Sequence, residues 1–186
     1  QLVFTGTSIG ILFSDIRYNN ADTMLRDADT AMYHAKDNGK GRYEVFDASM
    51  HQRVQNALTL EADIREAIEW QEFIPYFQPI IKLENEALQG FEALARWQSK
   101  KRGFVFPDEF IPLAEETNLV QAIDLQIVKA ACQQLKHWQD KLLRHDLYVS
   151  CNLFCSQFFN TTLPGDIEQI LLDTGLKQEH LRVELT

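Results

Sequence analysis

The sequence predicts an α/β protein built on a parallel sheet or barrel. After residue 110, helical and strand-like segments alternate along the chain, which is the order that places helices over a parallel sheet. Two of these segments, 147–153 and 181–186, alternate apolar and polar side chains as half-buried strands do. The first 46 residues add a predicted strand, helix and strand, so a βαβ segment precedes the sheet.

The first two elements are predicted from composition and periodicity. Residues 2–12 are rich in β-branched and apolar side chains and favour a strand. Residues 20–38 favour a helix, because apolar residues recur there at intervals of three and four. Asn20 or Asp22 can accept the free N–H groups at the helix start. Gly39 is placed to end this helix in the left-handed conformation.

The middle of the chain predicts a strand, a long helix and an irregular strand. Residues 42–46 favour the second strand. Residues 47–70 contain no Gly or Pro and mix their charges, which indicates one long connecting helix or two abutting ones. Residues 73–83 favour a strand, but Pro75 and Pro79 restrict it to a sheet edge or an irregular position.

The remaining segments continue this order toward residue 186. They are predicted as a strand at 87–95, a short helix at 107–118, a long amphipathic helix at 119–139, a strand at 147–153, a helix at 166–174 and a strand at 181–186.

Composition limits the classes of partner. The chain has 186 residues, a net charge of −9 and a pI near 5.0. An acidic surface argues against binding a long nucleic acid, which needs a basic face. The negative net charge does not exclude a small anionic ligand, because bound divalent metal ions can supply positive charge locally. The sequence lacks an apolar run of about 18 residues, so no membrane segment is predicted. The start at Gln1 suggests a piece of a longer protein.

The cysteines indicate the compartment. Cys132, Cys151 and Cys155 are an odd number, which fits a reducing cytoplasm better than a disulfide framework. Cys151 and Cys155 can be read as half of a metal site or as ordinary buried thiols. The second interpretation is favoured because no other Cys/His pair lies at ligand spacing.

Three predicted strands carry a polar group at or near their C-terminal ends. These are Glu92, Asn152 and Glu184. Strand alternation puts Asn152 and Glu184 opposite their apolar neighbours, on the face away from the outer helices. Two carboxylates and an amide oxygen suit Mg²⁺ or Mn²⁺. The alternative is that each is a lone polar residue, hydrogen-bonded to backbone or water.

Arg96 lies four residues after Glu92, where the apolar strand is expected to end. A guanidinium there can fork onto a phosphate or a base edge. A surface ion pair is the alternative role.

Five segments in one order carry a family resemblance: Phe-Gln-Pro-Ile at 77–80, Glu-Ala-Leu-Ala-Arg-Trp at 92–97, and the stretches 107–115, 150–153 and 181–186. With them, residues 61–186 resemble the first half of an EAL domain, the bacterial phosphodiesterase family for cyclic di-GMP. The resemblance implies a β/α (TIM-like) barrel that hydrolyses cyclic di-GMP to linear pGpG with two divalent ions, and it implies a homodimer.

The same resemblance implies roles for individual residues. Glu92, Asn152 and Glu184 match family metal ligands, and Gln78 and Arg96 match positions that contact the substrate. Phe154 and Cys155 depart from the family pattern next to Asn152 and put the local loop geometry in doubt.

Residues 1–46 resemble the last third of a GGDEF, or diguanylate cyclase, domain through the stretches 8–11 and 28–39. This resemblance implies a GGDEF-like part at 1–46, a helical connector at 47–60 and the EAL-like part at 61–186. Lys36 and Lys40 match phosphate-contacting positions of that family. Their alternative role is local, because cations are favourable at a helix C-terminus.

The sequence is therefore consistent with three functions. The first is an active cyclic di-GMP phosphodiesterase in a tandem GGDEF–EAL protein. The second is a non-catalytic module that binds cyclic di-GMP or a partner, and the third is an unrelated metal-dependent barrel hydrolase. A complete barrel needs about 250 residues, so we expect residues 61–186 alone to hold part of the site and to be inactive without the remainder.

Overall fold

The computed structural model describes residues 6–13, 18, 20–154 and 160–185. The chain divides into two compact units, and the division falls between Thr59 and Leu60. Within the described ranges, no helix has both the length and the apolar character that a membrane crossing needs.

The first unit contains a parallel pair of short strands joined by a helix. Its elements are β1 (Ile9–Ile11), α1 (Ala21–Asp37), β2 (Tyr43–Val45) and the first part of α2 (Ser49–Glu69). Strands β1 and β2 pair in parallel with Ile9 opposite Tyr43, as a βαβ order requires. β1 is shorter than the predicted strand 2–12, and residues 2–5 of that prediction lie outside the described part of the chain.

Both predicted ends of α1 are confirmed. The side chain of Asn20 accepts a hydrogen bond from the Asp22 N–H at 2.7 Å and caps the helix start. Gly39 follows the last turn with a φ of +106°, a conformation that costs glycine little.

A buried carboxylate joins α1 to the start of α2. Asp27 is buried and accepts hydrogen bonds from the Tyr18 hydroxyl at 3.0 Å and the Arg26 Nε at 3.5 Å, and it pairs with His51 Nε2 at 2.9 Å. Burial by itself would raise the pKa of the Asp27 carboxyl, but the hydrogen bonds from Tyr18, His51 and Arg26 outweigh burial and lower it.

The second unit is a five-stranded mixed sheet with helices packed on it. Its strands are β3 (Phe73–Ile81), β4 (Leu88–Ser99), β5 (Gly103–Val105), β6 (Tyr148–Leu153) and β7 (Leu181–Leu185), and its helices are the end of α2, α3 (Pro107–Glu116), α4 (Val120–Leu142) and α5 (Leu163–Thr174). The strand order is β3-β4-β6-β7, with β5 paired to β4. β4, β6 and β7 run parallel, which confirms the predicted α/β fold.

The strands of this sheet confirm one expectation and correct another. β3, with its two prolines, lies at the sheet edge as predicted. β4 runs to Ser99 rather than ending near residue 95, because its last residues pair with β3 and with β5. The short strand β5 is not predicted from the sequence. It follows a turn and begins at Gly103, which has a φ of +77°.

Alternate residues of the strands face opposite sides of the sheet. Phe77 and Phe91 pack against Trp138 of α4, with ring centres 4.8 and 4.5 Å apart. Farther along β4, Trp97 is fully buried against Phe73 and Phe110. The intervening positions of β3 and β4 therefore project from the other face.

Helix α2 is tied to the β4–β5 hairpin by ion pairs. Asp63 accepts from Arg102, with Nη2 and Oδ2 2.6 Å apart, and from Lys101 Nζ at 3.3 Å. Lys101 also contacts Glu66. The basic turn of the hairpin is thus held against the acidic side of the helix.

Close approach of β4 and β6 depends on Gly90. A Cβ atom at this position would lie 2.3 Å from the Tyr148 carbonyl oxygen, where backbone has no room to move. Glycine therefore permits the pairing that begins with Gly90 opposite Tyr148.

Replacing Trp97 by alanine should lower the free energy of unfolding by about 3–5 kcal/mol, because the change leaves a cavity in the core. Trp70→Ala is the matched control, since Trp70 is exposed and its loss should cost less than about 1 kcal/mol. Urea unfolding followed by circular dichroism measures both. Equal losses would show that Trp97 does not anchor the core.

Because the pKa of Asp27 is lowered in the fold, its charged form stabilises the first unit at pH values above the ordinary 3.8. That stabilisation should be lost as the pH falls below 3.8 and through the folded value. Asp27→Asn should reduce the fall in melting temperature that wild type shows between pH 6 and pH 2, measured by thermal melts. Asp29→Asn, at an exposed position of the same helix, should leave it unchanged; identical profiles for the two variants would contradict the role of Asp27.

Candidate active site

Strand β6 places two polar side chains on the face opposite α4. Val149, Cys151 and Leu153 are buried in the core. Ser150 and Asn152 alternate with them and therefore face the other side. The register sets Ser150 opposite Glu92 of β4, and Asn152 opposite Glu184 of β7.

The two polar groups of β6 each hold a carboxylate of a neighbouring strand. Asn152 Nδ2 donates to Glu92 Oε1 at 2.8 Å. Ser150 Oγ donates to Glu184 Oε1 in a short hydrogen bond. The structure therefore brings together the three predicted residues Glu92, Asn152 and Glu184, and the sequence interpretation that each is isolated does not hold for them.

Ser150 is a residue that the sequence analysis missed. Its side chain is 1% exposed, and its hydroxyl fixes one oxygen of Glu184. The alternation of β6 could have identified it, because Ser150 precedes Asn152 by two residues and shares its face.

The donor set fits a hard divalent ion. Glu92, Asn152 and Glu184 offer carboxylate and amide oxygens, which are the ligands that Mg²⁺ and Mn²⁺ prefer. Within the described residues, no group of three or more His, Cys, Asp or Glu side chains is placed to hold a metal. The site thus presents two acids and an amide, a partial ligand set.

The predicted substrate residues lie on the same face. Gln78 of β3 is exposed and sits directly opposite Glu92 in the antiparallel register. Arg96 is four residues beyond Glu92 on β4, its Nη1 donates to the Ala95 carbonyl at 2.7 Å, and its guanidinium carbon lies 5.7 Å from the Tyr76 ring centre. Both Glu92 and Arg96 lie within β4, so the prediction that they mark the strand end is wrong.

The two described cysteines, Cys132 and Cys151, lie in the core on the other side of the sheet. Cys132 and Cys151 are buried free thiols. Burial raises the pKa of Cys132 to about 12 and also raises that of Cys151. Protonated thiols are poor metal ligands, which favours the ordinary interpretation of Cys151; Cys155 lies outside the described residues.

Lys36 and Lys40 belong to the first unit. Lys36 is in the last turn of α1, with its Nζ 5.3 Å from the Tyr33 ring centre. Lys40 follows Gly39 with a φ of +58° and donates its backbone N–H to the Ala35 carbonyl. Both side chains are exposed, and their role in phosphate binding stays a prediction.

Sequence comparison identifies relatives along nearly all of the chain. The bifunctional diguanylate cyclase/cyclic di-GMP phosphodiesterase MucR of Pseudomonas aeruginosa is 35% identical over 96% of this chain and 26% of its own length. The cyclic di-GMP phosphodiesterase PdeR of Escherichia coli is 34% identical over 99% of this chain and 27% of its own length. The chain thus spans about a quarter of the curated relatives it matches.

Structure comparison agrees with these relatives. A solved structure of the PaMucR phosphodiesterase in complex with cyclic di-GMP superposes with a TM-score of 0.63 at 32% identity, over 67% of this chain and 50% of that one. The sequence model of the EAL domain matches residues 61–186. This chain belongs to the EAL domain family.

Proposed function

We propose that the protein containing this chain hydrolyses cyclic di-GMP to linear pGpG, with residues 61–186 supplying part of the active site. The observation that carries the proposal is the pair of carboxylates, Glu92 and Glu184, which lie on the two strands that flank β6 and are held there by Asn152 and Ser150 of β6. Relatives named as cyclic di-GMP phosphodiesterases support the substrate.

In the proposed reaction, water oxygen forms a bond to one phosphorus and the bond from that phosphorus to the ribose 3′ oxygen breaks. The leaving oxygen takes up a proton, and the 5′ phosphate remains on the product. Two Mg²⁺ or Mn²⁺ ions, when bound, would lower the pKa of the attacking water and neutralise phosphate charge. Glu92, Asn152 and Glu184 would hold these ions together with ligands from outside this chain.

The remaining residues of the site would orient the substrate. Arg96 can donate two parallel hydrogen bonds to a phosphate. Gln78 lies opposite Glu92 and offers both an amide donor and an acceptor to the same region. These contacts would hold the phosphodiester in line for attack.

We also propose that residues 1–46 are the end of a GGDEF domain and that residues 47–60 connect it to the EAL part. The parallel β1–α1–β2 arrangement and a match to a bifunctional cyclase/phosphodiesterase that extends into residues 1–46 support this. Lys36 and Lys40 are then candidates for phosphate contact. The free thiols support a cytoplasmic location, and the family resemblance supports a homodimer.

The proposal is tested by incubating the intact protein with cyclic di-GMP and Mg²⁺ or Mn²⁺ and separating the products by chromatography. Formation of pGpG is expected. Binding of cyclic di-GMP without any product would instead support a signalling module that has lost turnover.

Glu92→Ala should lower the turnover number by about a hundredfold or more, because the change removes a charged ligand from the reacting centre. Glu84→Ala is the control, since Glu84 is an exposed residue of the β3–β4 turn paired with Lys82. Both variants are compared by rates of pGpG formation. Near-normal turnover in Glu92→Ala would exclude a metal-ligand role.

Ser150→Ala should weaken Mn²⁺ binding about tenfold, because it frees a ligating carboxylate from its orienting hydrogen bond. Electron paramagnetic resonance of Mn²⁺ measures the affinity without any turnover. Ser99→Ala is a close control: Ser99 is also a buried serine of this sheet, and its hydroxyl accepts from the N–H groups of Lys101 and Arg102. An unchanged affinity in Ser150→Ala would contradict the positioning role.

A further inference from the structure

Three aromatic side chains are exposed together beside the candidate site. Tyr76, Phe104 and Phe106 have exposed fractions of 49%, 42% and 58%, and we call them the aromatic shelf. The Tyr76 and Phe104 ring centres are 5.8 Å apart, and those of Phe104 and Phe106 are 5.1 Å apart. Grouped exposed rings mark binding surfaces more often than single ones do.

The strand register places two rings of the shelf, Tyr76 and Phe104, on the face that carries Glu92. Tyr76 lies opposite Leu94, and Phe104 lies opposite Gln98. Leu94 and Gln98 share a face with Glu92, because they are two and six residues away on one strand. Two residues span about 7 Å of a strand, so Tyr76 lies one step beyond the level of Glu92 and Gln78.

Arg96 lies beside the shelf: its place along β4 is between the level of Tyr76, which pairs with Leu94, and the level of Phe104, which pairs with Gln98. Its guanidinium carbon is 5.7 Å from the Tyr76 ring centre. A guanidinium in contact with an aromatic face can bind a phosphate with its outer N–H groups while the ring stays open to a flat ligand. A planar group attached to a phosphate by a short linker fits this combination of charge and apolar surface.

We propose that the aromatic shelf is a stacking subsite for one purine base of the cyclic dinucleotide, with Tyr76 and Phe104 as its contact rings. The proposal rests on the proposed function and extends it from the phosphate to the base. Aromatic faces bind nucleobases by stacking, and this contributes strongly to affinity without requiring base-edge hydrogen bonds.

The test uses the intact protein with Tyr76→Leu, Phe104→Leu and the double variant. Each single change should raise the KM for cyclic di-GMP about tenfold and leave kcat within about twofold, because stacking is retained in both the ground state and the transition state. Tyr76→Phe should restore the wild-type KM, since it keeps the ring. Tyr43→Leu, an exposed strand tyrosine of the first unit, is the matched control.

A second readout detects the stacking itself. The probe is a cyclic dinucleotide in which one guanine is replaced by 2-aminopurine, whose fluorescence is quenched when it stacks on a ring. Wild type, Tyr76→Phe and Tyr43→Leu should quench the bound probe, whereas the double variant should leave it bright at saturating protein. Thermal melts that match wild type show that the shelf variants remain folded.

The outcomes separate the two proposals. If the wild-type protein hydrolyses cyclic di-GMP and the double variant keeps the same KM and the same quenching, the shelf does not bind the base and only this inference fails. If the wild-type protein neither binds nor hydrolyses cyclic di-GMP, the proposed function fails and the stacking subsite fails with it.

Discussion

The two-sided character of β6 is the constraint on which the rest of the second unit depends. One side of the strand, with Val149, Cys151 and Leu153, is buried under α4 and fixes the strand in the core. Because side chains alternate along a strand, the same placement turns Ser150 and Asn152 toward the carboxylates. A register shift of one residue would exchange the two sets, burying polar groups and exposing the core.

The hydrogen bonds of this strand also define the electrostatics of the site. Ser150 and Asn152 are neutral donors, so they orient Glu184 and Glu92 without cancelling their negative charge. Two carboxylates directed to one face attract cations, and their mutual repulsion is relieved when a cation binds. Under the proposed function, metal ions and Arg96 would supply the positive charge with which an acidic protein binds an anionic dinucleotide.

Much of this arrangement could be predicted from the sequence, because alternation and motif order depend on local patterns. The faces of Asn152 and Glu184 follow from the apolar residues on either side of them, and the edge position of β3 follows from its prolines. Alternation also gives the face of Ser150, but the length of β4, the strand β5 and the pairing of Ser150 with Glu184 could not be predicted in the same way. Each depends on which strand lies next to it, and pairing between distant segments is set by tertiary packing rather than by propensity.

The ion pairs between α2 and the β4–β5 hairpin fix the position of the hairpin turn within the second unit. Asp63 and Glu66 both lie in the part of α2 that belongs to this unit, and they hold the turn that precedes Phe104. Because these contacts join charged groups, which salt screens, raising the ionic strength would loosen the turn while leaving the packed core intact.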